Sequence, residues 1–166
     1  MLLYQQNGRN NVKKSTNKWI RFFSWVLFLF YLAFISYFLF FSERYGRTEG
    51  NAGYRYNLVL FQEIKRFVTY REAIGLEGFI VNIIGNVLAF APFGFCLPLI
   101  SIRRTNFFRV LVWSFLFSLT IETIQLVYQI GIFDVDDLLM NTIGGVIGYV
   151  VYRIGKLWLD HKKKRR

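Results

Sequence analysis

Long runs without charge constrain this chain more than any other feature of its 166 residues. Phe22 to Phe41 holds no charged residue and is bracketed by Arg21 and Glu43. A helix of about 20 apolar residues crosses ~30 Å of hydrocarbon. A second run extends from Gly78 to Ile102, between Glu77 and Arg103, and a third, from Val110 to Phe133, is broken only by Glu122. The fourth, Leu138 to Tyr152, has 15 residues and is long enough only if it continues toward Trp158 with Arg153 and Lys156 snorkelling to the surface. Backbone groups in hydrocarbon must be satisfied within their own segment, so each run is expected to be a helix. The expected fold class is therefore all-α, a polytopic membrane helical bundle with four transmembrane helices. Two or three spans with a terminal amphipathic helix is the alternative. A hydrophobic fraction of 54% excludes a disordered chain, 2 Pro and 13 Gly exclude collagen, and the lone Cys96 excludes a disulfide scaffold.

The charges between the runs give an independent reading, because Lys and Arg gather in cytoplasmic segments. The N-terminal segment carries Arg9, Lys13, Lys14, Lys18 and Arg21 with no acid, and loop 43–77 mixes both signs. The next link has Arg103, Arg104 and Arg109, the one after it Asp134, Asp136 and Asp137, and the chain ends in Lys162 to Arg166. This alternation fits four crossings with both termini cytoplasmic. The organisation read from it is a basic tail (1–21), a first transmembrane helix (22–42), an external loop (43–77), a core of three transmembrane helices (78–152) and a second basic tail (153–166). The first run exceeds the ~7–15 apolar residues of a signal peptide and lacks a small-residue cleavage site, so it reads as a retained anchor. Twelve of the 24 residues from Trp19 to Ser42 are aromatic, which suits a lipid-facing edge of the bundle. The net charge of +11 is explained by topology and the attraction of basic segments to anionic lipid, with no nucleic-acid role.

Polar residues inside the runs fall at helical spacing. Ser118, Glu122, Gln125 and Gln129 are four, three and four apart on the third run, Asn82 and Asn86 are four apart on the second, and Asp137, Asn141, Gly144 and Gly148 repeat the pattern on the fourth. Such faces are costly against lipid and are expected to pack together. Gly144 and Gly148 suit close helix packing. The polar residues crowd into the outer half of their runs, which implies an outward-opening pocket floored by Glu122 and rimmed by Asp134, Asp136 and Asp137. The candidate pocket residues are Asn82, Asn86, Glu122, Gln125, Asp136, Asp137 and Asn141. Plainer roles compete: amides that only bond across a helix interface, aspartates that only cap a helix, and prolines (Pro92, Pro98) that only kink one. Leu60, Phe61, Ile64, Phe67 and Val68 recur at helical spacing within loop 43–77, consistent with an interfacial helix over the pocket mouth.

No phosphate-binding glycine loop, nucleophile elbow or Cys/His metal spacing is present, so no catalytic residue, metal site or cofactor is assigned. Three segments, NIIGNVLAFAPFGFCLP (82–98), IETIQ (121–125) and FDVDDLLMNTIGGVIG (133–148), together resemble the VanZ-like family of bacterial integral membrane proteins. The resemblance covers roughly residues 57–152. NLVLFQEI (57–64) resembles a further family segment, NL-x-PF, with Leu60 in place of the proline, and Ile132 stands where an arginine often precedes FD-x-DD. The resemblance implies a multi-pass protein of the bacterial cell membrane with an envelope role. Its named member is associated with resistance to the lipid-tailed glycopeptide teicoplanin. The leading expectation is recognition of an outer-leaflet amphiphile or lipid-linked cell-wall precursor, with membrane lipids as the other partners. The alternatives are a membrane hydrolase or transferase using a carboxylate-bound divalent cation, and a small proton-coupled transporter.

Overall fold

The computed structural model describes residues 2–41, 53–70, 83–102 and 105–165, with side chains left undescribed at 2–17, 39–41, 63–64 and 67–68. Asn82, Gly78 and the Arg103–Arg104 pair lie outside the described residues. So do the side chains of Ile64, Phe67 and Val68. The fold is all-α. Its helices are α1 (Leu2–Phe41), α2 (Gln62–Thr69), α3 (Gly85–Ile100), α4 (Phe107–Val127) and α5 (Val135–Lys164), joined by a two-residue pairing of β1 (Tyr56–Asn57) with β2 (Phe133–Asp134). Three of these helices are long and apolar enough to cross a membrane, with spans at Lys18–Phe38, Phe107–Val127 and Val135–Lys164. Helix α3 is also apolar but has 16 described residues, about 24 Å at the helical rise of ~1.5 Å.

Two helices differ in extent from the sequence reading. Helix α1 runs unbroken from Leu2, so the basic N-terminal segment is helical and continuous with the first span. Helix α4 stops at Val127, which takes Gln129 off the face that carries Ser118, Glu122 and Gln125. The cause is local. Gln129 adopts φ 54°, its N–H reaches the Leu126 carbonyl at 3.1 Å, and the Ile130 N–H reaches the Gln125 carbonyl at 3.0 Å. That pair of bonds is a Schellman closure with a non-glycine residue in the left-handed position. The short fourth run, by contrast, continues through Arg153 and Lys156 as a 30-residue helix.

Helices α3 and α5 pack most closely. A Cβ on Gly94 would overlap the backbone of Gly145, one on Gly144 that of Val87, and one on Gly148 that of Ala91. Lipid tails are as apolar as leucine, so helices in a bilayer associate through such close packing and through interhelical hydrogen bonds. Helix α4 lies against α5 through Ser114, which occupies the space in front of Gly145. Helix α1 attaches differently. Its buried positions Ser24, Phe28 and Ile35 form a narrow strip, and the Tyr31 hydroxyl donates to the Ala89 carbonyl of α3 at 2.8 Å. That carbonyl lies one residue beyond Leu88, whose own acceptor is stranded because Pro92 has no N–H. Most other aromatics among the described side chains of α1, including Phe30 and Phe34, are exposed.

Candidate functional site

One face of α4 aligns Ser114, Ser118, Glu122 and Gln125, all buried. The interval of four, four and three residues puts them on a single stripe. Glu122 is 3% exposed and stands near the end of its helix, opposite the start of α5. There its Oε2 accepts the backbone N–H of Asp134 at 3.1 Å. Asp134 in turn is the N-cap of α5, accepting the Asp136 N–H at 2.7 Å. N-terminal helix amides have no partner within the helix, so carboxylates gather there readily. Asp136 is fully buried. Asp137, one position on, accepts from Asn86 Nδ2 of α3 at 2.6 Å.

A strap from the loop before α2 covers this corner. Tyr56 and Asn57 pair in parallel with Phe133 and Asp134, and the Phe133 N–H donates to the Arg55 carbonyl at 3.1 Å. Asn57 Nδ2 spans both Asp134 oxygens at 3.3 and 3.2 Å. The Phe61 N–H, on a residue with φ 64°, donates to Asp136 Oδ1. Two segments separated by more than 70 residues are thus joined mainly through aspartates. Glu122 and Asp136 are buried, and the strap reaches the corner through its bonds to Asp134 and Asp136.

Deeper in the bundle Asn141 Nδ2 donates to Ser118 Oγ at 3.0 Å, linking α5 to α4. Gln125 turns toward the α4–α5 link, where its side chain packs against Gly131. Of the candidates, Asn86, Glu122, Asp136 and Asp137 thus gather at one end of the bundle with Asp134. Asn141 sits one turn below Asp137, Gln125 borders the cluster, and Gly144 and Gly148 lie along the α3 contact. Sequence reasoning gave Asp134 only a place on the rim, yet it is the hub that joins Glu122, Asp136 and Asn57. Ser114 also escaped notice, although it stands one turn before Ser118.

The chemistry of the cluster is that of acceptors. Ionised carboxylates only accept hydrogen bonds, and several brought together favour protons, cations or donor-rich ligands. Burial raises the Asp134 carboxyl above the usual range, and nearby Asp136 adds to the rise, while hydrogen bonds from the Asp136 N–H and Asn57 oppose it. Among the described residues, no group of three His, Cys, Asp or Glu side chains is placed to hold a metal ion.

Comparison with known proteins identifies the family. Protein VanZ of Enterococcus faecium is 33% identical over 85 residues, covering 51% of this chain and 52% of that protein. The chain thus matches about half the length of this curated relative. No solved structure matches. The VanZ/LLP1 family model matches residues 28–157, a stretch that holds α3, α4, the strap and α5 as far as Leu157, and the chain belongs to that family.

Proposed function

We propose that this membrane protein serves the bacterial cell envelope, crossing the membrane four times with both termini cytoplasmic. Its buried carboxylate cluster faces outward and recognises the headgroup of an amphiphile or a lipid-linked cell-wall precursor in the outer leaflet. The observation that carries this reading is the convergence of Glu122, Asp134, Asp136 and Asp137 at the start of α5, where the strap bonds to Asp134 and Asp136. Four acids on one corner exceed what capping a single helix requires. They suit a headgroup rich in hydroxyl or ammonium donors. The strap supplies a route in, because releasing the bonds of Asn57 and Phe61 uncovers the aspartates without separating the helices. The resemblance to VanZ-like proteins extends the proposal to protection against glycopeptides of the teicoplanin type, whose lipid tail keeps them at the outer membrane surface.

The test is expression in a susceptible host, comparing tolerance to teicoplanin with tolerance to a glycopeptide lacking a lipid tail. Wild type is expected to protect against the lipidated compound. Glu122→Gln and Asp137→Asn are expected to abolish protection at unchanged membrane abundance. Protection that survives both substitutions, or that disappears only in step with abundance, would count against a recognition site.

A further inference from the structure

The end of the bundle remote from the carboxylates carries an apolar groove of about 420 Å³ between α1, α3 and α4. Its length is marked on each helix by a pair of lining residues, Trp25 and Leu32 on α1, Phe93 and Ile100 on α3, Trp113 and Thr120 on α4. Each pair is seven residues apart, so the groove runs for ~10 Å along the helices, against ~15 Å for one leaflet's hydrocarbon. The stacked rings of Phe93 and Phe117, 4.5 Å apart, give it a flat wall. Thr120 contributes no free polarity, since its hydroxyl donates to the Leu116 carbonyl at 2.8 Å.

Tryptophans line one end of the groove, and basic residues follow at helical spacing beyond it. Arg21 stands one turn before Trp25 and Arg109 one turn before Trp113, so two helices each set a guanidinium beyond an indole on the same face. Lys18 lies a further turn out on α1. Both tryptophans are exposed, and among the described residues neither indole N–H is hydrogen-bonded. Indoles settle at the headgroup level of a bilayer, and guanidinium groups there attract phosphate.

We propose that this groove is a binding site for one acyl chain of an anionic phospholipid, whose phosphate is held by Arg21 and Arg109 at the mouth. Apolar walls about two-thirds of a leaflet deep accept the chain. The paired arginines select a negative headgroup. The site is independent of the carboxylate cluster and of the orientation of the protein in the membrane.

The full chain, reconstituted in equimolar phosphatidylglycerol and phosphatidylcholine of matched acyl length, is extracted in mild detergent and its retained lipid measured by native mass spectrometry. One phosphatidylglycerol per chain is expected, favoured over phosphatidylcholine by about fivefold or more, since each basic group near the headgroup contributes ~1 kcal/mol. Arg21→Gln with Arg109→Gln is expected to level the two lipids while leaving helicity unchanged. Leu116→Trp, which fills the groove, is expected to abolish retention of either. Equal retention of the two lipids by wild type, or retention unaffected by Leu116→Trp in a protein of native helicity, overturns the proposal. So does a protein dimer that dissociates on filling the groove, because the occupant is then a second copy.

Discussion

Helices α1 and α5 both pack on α3, and they do so by opposite means. Helix α5 brings its backbone into contact with that of α3 at Gly94, Gly144 and Gly148. Helix α1 offers bulky rings, and among its described side chains a strip that includes Phe28, Tyr31 and Ile35 packs against α3 and α4. In a bilayer an aromatic residue gains little by leaving lipid for protein, so bulk does not hold helices together. Close approach and polar contacts do. The consequence is a division of labour: α3, α4 and α5 hold the acidic corner in a fixed geometry, while α1 is an attached outrigger. The acidic corner accordingly depends on glycines far from it more than on the anchor helix.

Substitutions sharpen this contrast in a graded way. Gly148→Ala has the largest expected effect, because its Cβ falls on the Ala91 backbone and forces α5 away from α3; a loss of about 3 kcal/mol or more is expected in denaturation from detergent. If Gly148→Ala folded as well as wild type, the close interface would not be the organising contact. Asn141→Ala removes the bond to Ser118 between α5 and α4 and is expected to cost ~0.6–2 kcal/mol by the same measurement. Tyr31→Phe removes the hydrogen bond of α1 to α3 and is expected to cost less, ~0.6 kcal/mol, leaving the glycopeptide phenotype intact. A larger loss for Tyr31→Phe than for Asn141→Ala would reverse the proposed ranking of the two regions. Gly155→Ala lies in α5 where an added Cβ meets nothing within 4 Å, and it is expected to leave stability unchanged or raise it by up to ~1 kcal/mol. Together Gly148 and Gly155 separate the cost of a crowded interface from the intrinsic cost of glycine in a helix.

Charge-free length and period carried most of the helical layout. Runs bounded by Arg21, Glu43, Arg109 and Asp134 can be recognised without tertiary information, because hydrocarbon leaves the backbone few alternatives. The grouping of Ser118, Glu122 and Gln125 follows from spacing alone. The strap does not, because Asn57 meets Asp134 across 77 positions of sequence and nothing local marks a two-residue parallel pairing. Gln129 misled for a related reason. Its interval of four from Gln125 is helical, but the chain must leave the helix to bring Phe133 beside Tyr56, and the left-handed turn at Gln129 does so. Gly94 entered the sequence reading only through the segment that resembles the VanZ-like family, and its place against Gly145 gives it a packing role that spacing alone does not show.

Accessibility of the strap tests the outward-facing carboxylate site most directly. In a Cys96→Ser background, Tyr54→Cys places a thiol at an exposed position beside the strap, and Lys164→Cys places one at the far end of α5. A membrane-impermeant maleimide applied to intact cells is expected to label position 54 at once and position 164 only after permeabilisation. Labelling of position 164 in intact cells, with position 54 protected until the membrane is opened, would place the acidic corner in the cytoplasm and contradict the proposed site.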